Sequence, residues 1–377
     1  MNFIKQLFTK VEPLPEGTHH MQAQLDEKPY RLHLRLRADG SALLVVNAST
    51  VLHLNPSAAE YAYHFVRGSD PIEAAGEVAS RYRIPRKQAQ TDYLDFVERI
   101  HTLISTPDLD PVAFLDFEQA APYSADLSTP LRLDCALTYR LPEGSSAEHA
   151  PVKRVECELS TEEWKSILDK AWRAGIPHVT FTGGEPTLRE DLPRLIAHAE
   201  TNGQVCGLLT DGLKLIDRAY LDLLLQTGLD HVLLILQPEL DDSWRAIATI
   251  LPEDLFLTVH VTVNPSNAPE MPLILDRLAA LGVKSLSLSF SASIGEEAQS
   301  ALRDTAADLA FTLRWDLPVP YSEANPVALE TKDDKIPSGA GRAWMYVEPD
   351  GDLLPTQGAS ETVLGNLLRD PWETIRS

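Results

Sequence analysis

Val179-Thr-Phe-Thr-Gly-Gly-Glu-Pro-Thr-Leu-Arg-Glu-Asp-Leu192 decides the fold. The β-branched and aromatic run His178–Phe181 reads as a strand; a glycine turn at Gly183 and Gly184 follows, and helical spacing resumes at Asp191. Strand, glycine turn and helix together make the repeating half-unit of a parallel α/β sheet. The pattern continues in both directions. Upstream, 131–138 reads as a strand, and Ser160-Thr-Glu-Glu163 is a capping box that opens a helix to about Arg173. Downstream, strands over 205–210, 231–236, 255–264 and 285–289 alternate with helices over 216–225, 242–250 and 270–281. This rhythm predicts a parallel sheet with helices outside, either a partial barrel or an open sheet, and periodicity alone does not choose between them.

The first hundred residues follow a different grammar. Arg31-Leu-His-Leu-Arg-Leu-Arg37 alternates with period two, and short strands over 42–46 and 51–54 follow. Helices are expected over 58–66, 71–82 and 86–104, the last with Tyr93, Phe96, Val97 and Ile100 at three/four spacing. Three strands followed by three helices make a winged-helix pattern. Residues 1–105 balance 12 basic against 12 acidic residues, so the rest of the chain carries the whole net charge of −22. That asymmetry predicts separate modules, 1–105 and 128–325, joined by a proline-containing linker over 106–127. A small module over 326–377 contains a hairpin turned at Pro349-Asp-Gly351.

A chain this acidic repels phosphate backbones and anionic lipid, which excludes nucleic-acid and membrane-surface partners as an expectation. No apolar run approaches the roughly 20 residues that cross a bilayer. The start, Met1-Asn-Phe-Ile-Lys-Gln-Leu-Phe8, has no secretory pattern, so the expected compartment is the cytoplasm. Cys135, Cys157 and Cys206 are too few and too far apart for a disulfide framework. No metal site is expected. His178 and His231 begin their strands, and His19-His20 falls in an N-terminal arm. In parallel barrels chemistry collects at the opposite, C-terminal strand ends.

Gly183-Gly-Glu-Pro186, with Thr210-Asp-Gly212 one helix later, closely resembles the GGEP and TNG motifs of radical S-adenosylmethionine enzymes. The resemblance implies a partial (β/α) barrel in which Gly183, Gly184, Glu185, Pro186 and Thr210 line the pocket for the methionine end of S-adenosylmethionine. The tail, through Ser338-Gly-Ala-Gly-Arg342, Tyr346 to Thr356 and Leu364-Gly-Asn366, is similar to a SPASM or twitch extension. Leu54-Asn-Pro-Ser-Ala58 and Gly68 resemble the signature of a RiPP recognition element, the winged-helix domain that holds a precursor peptide in pyrroloquinoline-quinone biosynthesis. That resemblance implies strand addition of an extended leader at Val51, Leu52, His53 and Leu54, against the helix carrying Arg86, Lys87 and Tyr93.

Departures from the pattern shape the functional expectation. After Tyr139-Arg140, Leu141, Ser145 and Glu148 stand at the family's three cluster-binding cysteines; Ser338 and Thr356 stand at cysteines of the tail. A ribose-contacting Ser or Asp is replaced by Leu236-Gln237-Pro238. Leucine has no donor atom, and serine and glutamate are poor substitutes for a soft thiolate. The expectation is therefore a protein with no resident cofactor and no iron–sulfur cluster, S-adenosylmethionine being the one small molecule left open. Such a pseudoenzyme binds a precursor peptide and assists a maturation enzyme or a second copy of itself. The alternative is a cluster-independent enzyme or S-adenosylmethionine-binding protein, with Glu185 as the candidate acid or base and Glu148 and His149 as newcomers beside the cluster position.

Overall fold

In the computed structural model the chain is described over residues 11–26, 28–47, 50–106, 129–143, 155, 157–291, 293–314, 339–357, 359 and 362–375. It divides into two units, Met1–Ser128 and Thr129–Ser377. The expected linker therefore lies almost wholly outside the described residues, as do Ser145, Glu148, His149 and Ser338.

Period-two alternation in the first unit builds an antiparallel sheet of four strands rather than three: β1 (Gly17–Leu25), β2 (Lys28–Leu36), β3 (Ala42–Val46) and β4 (Thr50–Leu54), in that spatial order. The extra strand is β1. It takes up His19 and His20, which the sequence reading placed in an arm, and sets His20 opposite His33 of β2 with their Nδ1 atoms 2.8 Å apart. Met21, Ala23 and Leu25 recur at every second position and pack against the core. Their weak apolarity hides the alternation. The chain then enters α1 (Pro56–Val66), α2 (Pro71–Tyr82) and α3 (Arg86–Ser105). Asn55 caps α1 by accepting from Ala58 N, and Asp70 caps α2 by accepting from Ile72 N and Glu73 N. Leu32, Leu34, Leu44, Leu52 and Leu54 meet Phe65, Val78, Tyr93 and Ile100 in one apolar core.

The second unit is built on one ten-stranded sheet. Seven parallel strands stand side by side in chain order: β5 (Arg132–Thr138), β6 (His178–Gly183), β7 (Val205–Thr210), β8 (Leu229–Ile235), β9 (Phe256–Val263), β10 (Ser285–Phe290) and β11 (Thr312–Arg314). Between them run α4 (Thr161–Arg173), α5 (Leu192–Asn202), α6 (Arg218–Gln226), α7 (Asp241–Ile250), α8 (Met271–Leu281) and α9 (Glu296–Asp308). The α9–β11 pair extends the run beyond the strand at 285–289. Trp164, Ile196, Leu221, Ile247, Leu275 and Leu302, one from each helix, join a single core with the alternate strand residues Cys135, Phe181, Leu208, Val261 and Leu288. A sequential strand order with every helix on one face is the partial-barrel arrangement; a doubly wound sheet reverses its order and places helices on both faces.

The tail joins the same sheet. β12 (Trp344–Val347) pairs in parallel with β5, and β13 (Asp352–Leu354) and β14 (Gly365–Asn366) continue from it antiparallel. A short helix, α10 (Trp372–Ile375), ends the described chain. Lys170 of α4 fastens the tail by donating to the carbonyls of Leu367 and Asp370. No helix among the described residues is long and apolar enough to cross a membrane.

Candidate functional site: the carboxyl end of β6 and β7

The core-facing alternation fixes what the other face of the sheet carries. Opposite the helices stand Asp134 and Thr138 on β5, Thr180 and Thr182 on β6, and Leu233 and Ile235 on β8. Thr258, His260 and Thr262 follow on β9, and Ser285, Ser287 and Ser289 on β10. His260 is fully buried and lies 3.0 Å from Ser287 Oγ through Nδ1 and 3.1 Å from Ser289 Oγ through Nε2. Sequence reasoning missed this hydroxyl-and-imidazole wall. Its signal was visible, since a buried strand with a polar residue at every second position must have a polar inner face.

At the carboxyl end of β6 the two glycines have a steric reason. Gly183 has φ +126°, and a Cβ there would lie 2.0 Å from the carbonyl oxygen of Thr138. A Cβ on Gly184 would lie 2.2 Å from that of Arg140. Without side chains, the backbone runs against the end of β5, and Gly184 N and Glu185 N donate to those same two carbonyls at 2.7 and 2.8 Å. Pro186 then opens a single 3₁₀ turn over Pro186–Leu188. Arg189, absent from the expected site, locks the next step by donating to the carbonyls of Leu137 and Leu159 and pairing with Asp191.

Glu185 is the hub. Its buried carboxyl accepts from Thr187 N at 2.9 Å, from Thr210 Oγ1 at 2.9 and 3.0 Å, and from Asp211 N at 2.8 Å. The fold thus brings Glu185 and Thr210 together from adjacent strand ends, as the motif resemblance implies. It adds Asp211, whose own carboxyl accepts from Leu213 N at 2.9 Å. Burial, reinforced by the neighbouring Asp211, pushes the Glu185 carboxyl well above the usual carboxylate range, and burial raises Asp211 as well. Lys214 donates to the carbonyl of Thr187 at 2.7 Å and sits 4.3 Å over the ring of Tyr220. The Tyr220 hydroxyl is buried without a hydrogen-bond partner, and burial together with Glu185 holds its phenol far above its ordinary value.

Known proteins match this arrangement. The Radical SAM superfamily matches residues 148–237. A protein of Streptomyces rochei named PqqA peptide cyclase is 30% identical over 277 residues, covering 66% of this chain and 76% of that one. The protein of the same name from Rhodopseudomonas palustris is 30% identical over 276 residues, covering 66% and 72%. The chain belongs to the radical SAM superfamily. Streptococcus suis SuiB bound to S-adenosylmethionine has the same fold, with a TM-score of 0.59 at 14% identity over 90% of this chain and 85% of that one. So does anSMEcpe with bound AdoMet, with a TM-score of 0.50 at 15% identity over 65% and 80%.

Membership corrects the expectation of a protein with no resident cofactor and no iron–sulfur cluster. Two structures of this fold, SuiB and anSMEcpe, were solved with S-adenosylmethionine bound. Cysteines bear on cluster ligation alone, whereas the residues that resemble the family's S-adenosylmethionine motif are Gly183, Gly184, Glu185 and Thr210. Those residues fit such a ligand: the buried Glu185 carboxyl, the half-buried Asp211 beside it and a phenol hydroxyl without a hydrogen-bond partner among the described residues suit a small molecule bearing an ammonium and a sulfonium. Of the positions matching the family's cluster cysteines, Leu141 and Thr356 are described. The Cys135 and Cys206 thiols are buried and directed to backbone carbonyls, and Cys157 is exposed.

The other expected residues separate by role. Leu52, Leu54 and Tyr93 are buried in the core of the first unit, where packing occupies their side chains. Val51 is half-buried and His53 exposed, with β4 at the sheet edge; Arg86 and Lys87 are exposed at the start of α3. His178 and His231 meet through their Nε2 atoms at 2.5 Å, near the strand starts, away from Glu185. Gln237 and Pro238 hold the approach to α7, Gln237 N donating to Ser243 Oγ and Trp244 Nε1 to the Pro238 carbonyl.

Proposed function

We propose that this chain binds S-adenosylmethionine at the carboxyl end of β6 and β7 and holds a ribosomally made precursor peptide with its first unit. The retained Gly183–Pro186 turn, tied through Glu185 to Thr210, carries the first half of the reading. When bound, S-adenosylmethionine supplies a sulfonium-activated adenosyl group; Gly183, Gly184, Glu185, Pro186 and Thr210 receive its methionine end. What supports peptide binding is the company the chain keeps. Its relatives are named PqqA peptide cyclase, and SuiB of the same fold was solved with its precursor peptide SuiA at a TM-score of 0.58.

In this reading residues 1–105 are a winged-helix RiPP recognition element, 128–325 the barrel and 326–377 a SPASM-like extension. The leader adds to the free edge of β4, and Arg86 and Lys87 meet its acidic residues. The chain works in the cytoplasm as a degenerate member of its family, presenting the peptide to a partner enzyme.

Two titrations test the reading. S-adenosylmethionine is expected to give saturable heat that Glu185→Ala abolishes. PqqA peptide is expected to bind the full chain and to bind the Arg86→Glu/Lys87→Glu variant at least tenfold more weakly. Equal peptide binding by both proteins refutes the leader site. Formation of 5′-deoxyadenosine under reducing conditions refutes the pseudoenzyme role.

A further inference from the structure

The cofactor pocket contains one group that its expected role does not use. Asp211 places a second carboxyl beside that of Glu185, on a backbone N–H that itself donates to Glu185. Glu185 is 2% exposed. Among the described residues no lysine or arginine forms an ion pair with either carboxyl. The nearest cation on these elements, Lys214, is turned to the Thr187 carbonyl and the Tyr220 ring. Arg189, of the same turn as Glu185, is engaged by Asp191 at 2.7 Å and by Glu158 at 3.7 Å. The Tyr220 phenol, facing from α6, is neutral and unpartnered. A fully buried carboxyl that accepts from the backbone of a half-buried aspartate, with no counter-cation on either, does not ionise beside an ionised neighbour at neutral pH.

We propose that Glu185 and Asp211 share one proton in the free protein and that a cationic ligand in this pocket binds with release of that proton to solvent. The inference rests on the reading of the pocket as a site for S-adenosylmethionine, whose ammonium and sulfonium supply the missing positive charge. The O–H bond of the shared carboxyl breaks, the proton passes to water, and the ligand is unchanged. The arrangement makes the pocket a charge-selective one. It favours the sulfonium over S-adenosylhomocysteine, which lacks that charge, and it binds more tightly as pH rises.

Calorimetric titration of the full chain with S-adenosylmethionine between pH 6 and 8.5, in buffers of different ionisation heat, counts the protons released. The expected count approaches one at the acid end, with affinity rising up to about tenfold per pH unit there. Asp211→Asn removes the sharing partner while keeping the shape and leaves Glu185 buried; its expected proton count is smaller than that of the wild type at every pH, and its affinity less steep with pH. A ligand-free arm keeps the test independent of the pocket reading: carboxyl ¹³C resonances of the wild-type chain should show one buried group titrating between pH 6 and 9. Absence of that titration overturns the shared proton. A titrating carboxyl with pH-independent S-adenosylmethionine affinity overturns the coupling. A titrating carboxyl with no heat from S-adenosylmethionine at any pH supports the pair and overturns the pocket reading.

Discussion

Replacing Glu185 by alanine separates a structural tie from a catalytic reserve. The carboxyl accepts two buried backbone N–H groups, Thr187 at 2.9 Å and Asp211 at 2.8 Å, and the Thr210 hydroxyl. The hydroxyl can rotate to another acceptor, but the two amides cannot. A buried donor left without its partner costs about 1–3 kcal/mol, so the pair costs roughly 2–6 kcal/mol. Part of this is offset, because burial and the neighbouring Asp211 both disfavour the charged carboxyl, which pushes it above the usual carboxylate range. The expected net loss is about 2–4 kcal/mol, and it should appear in urea unfolding as a lower midpoint with an unchanged slope. Glutamine is expected to recover only part of it, because its NH₂ points a donor at groups that are already donors. The reasoning is refuted if alanine leaves stability within about 0.5 kcal/mol of wild type or raises it, which is the pattern of a group held in strain for chemistry.

Three further outcomes follow from other parts of the molecule. Gly207→Ala would place a Cβ 2.1 Å from the His231 ring, which already meets His178, so a loss of about 1–3 kcal/mol is expected in denaturant unfolding. Lys170→Met removes the donor to the Leu367 and Asp370 carbonyls, and hydrogen exchange over residues 362–375 is expected to speed up while that of β6 is unchanged. The Glu185 carboxyl titrates at about 8 in the fold, above its ordinary value of 4.5, so the native state binds more protons than the unfolded chain between those limits. Its contribution to stability is therefore full below about pH 4.5 and is lost as pH rises through about 8, and the slope should be shallower in Asp211→Asn. Unfolding free energies measured at pH 5, 6.5 and 8 on both proteins check the sign.

Much of the architecture was legible because it is written in local periodicity. The capping box at Ser160–Glu163 forms as read, Ser160 and Glu163 bonding reciprocally. The strand over 178–183 ends where the glycines begin. β1 was harder to see because Thr18, His19, His20 and Gln22 blur its alternation, and only pairing with β2 makes it a strand. The tail reads as a separate hairpin because nothing local announces that β12 will pair with β5, about 210 residues earlier in the chain.

The sequence by itself determined the strand–helix rhythm, the turn at Gly183–Pro186 and the residues able to form a cofactor pocket, since each depends on neighbours a few positions away. Tertiary structure decided the rest. It ran the strands in chain order with helices on one face, which is what distinguishes a partial barrel from an open sheet. It drew Leu52, Leu54 and Tyr93 into a core and left His53, between the first two, outside. It set the Asp211 backbone on the Glu185 carboxyl, bringing two acidic residues 26 positions apart to one place. Burial and proximity set the charge of such residues, and both are properties of the folded chain, not of any segment within it.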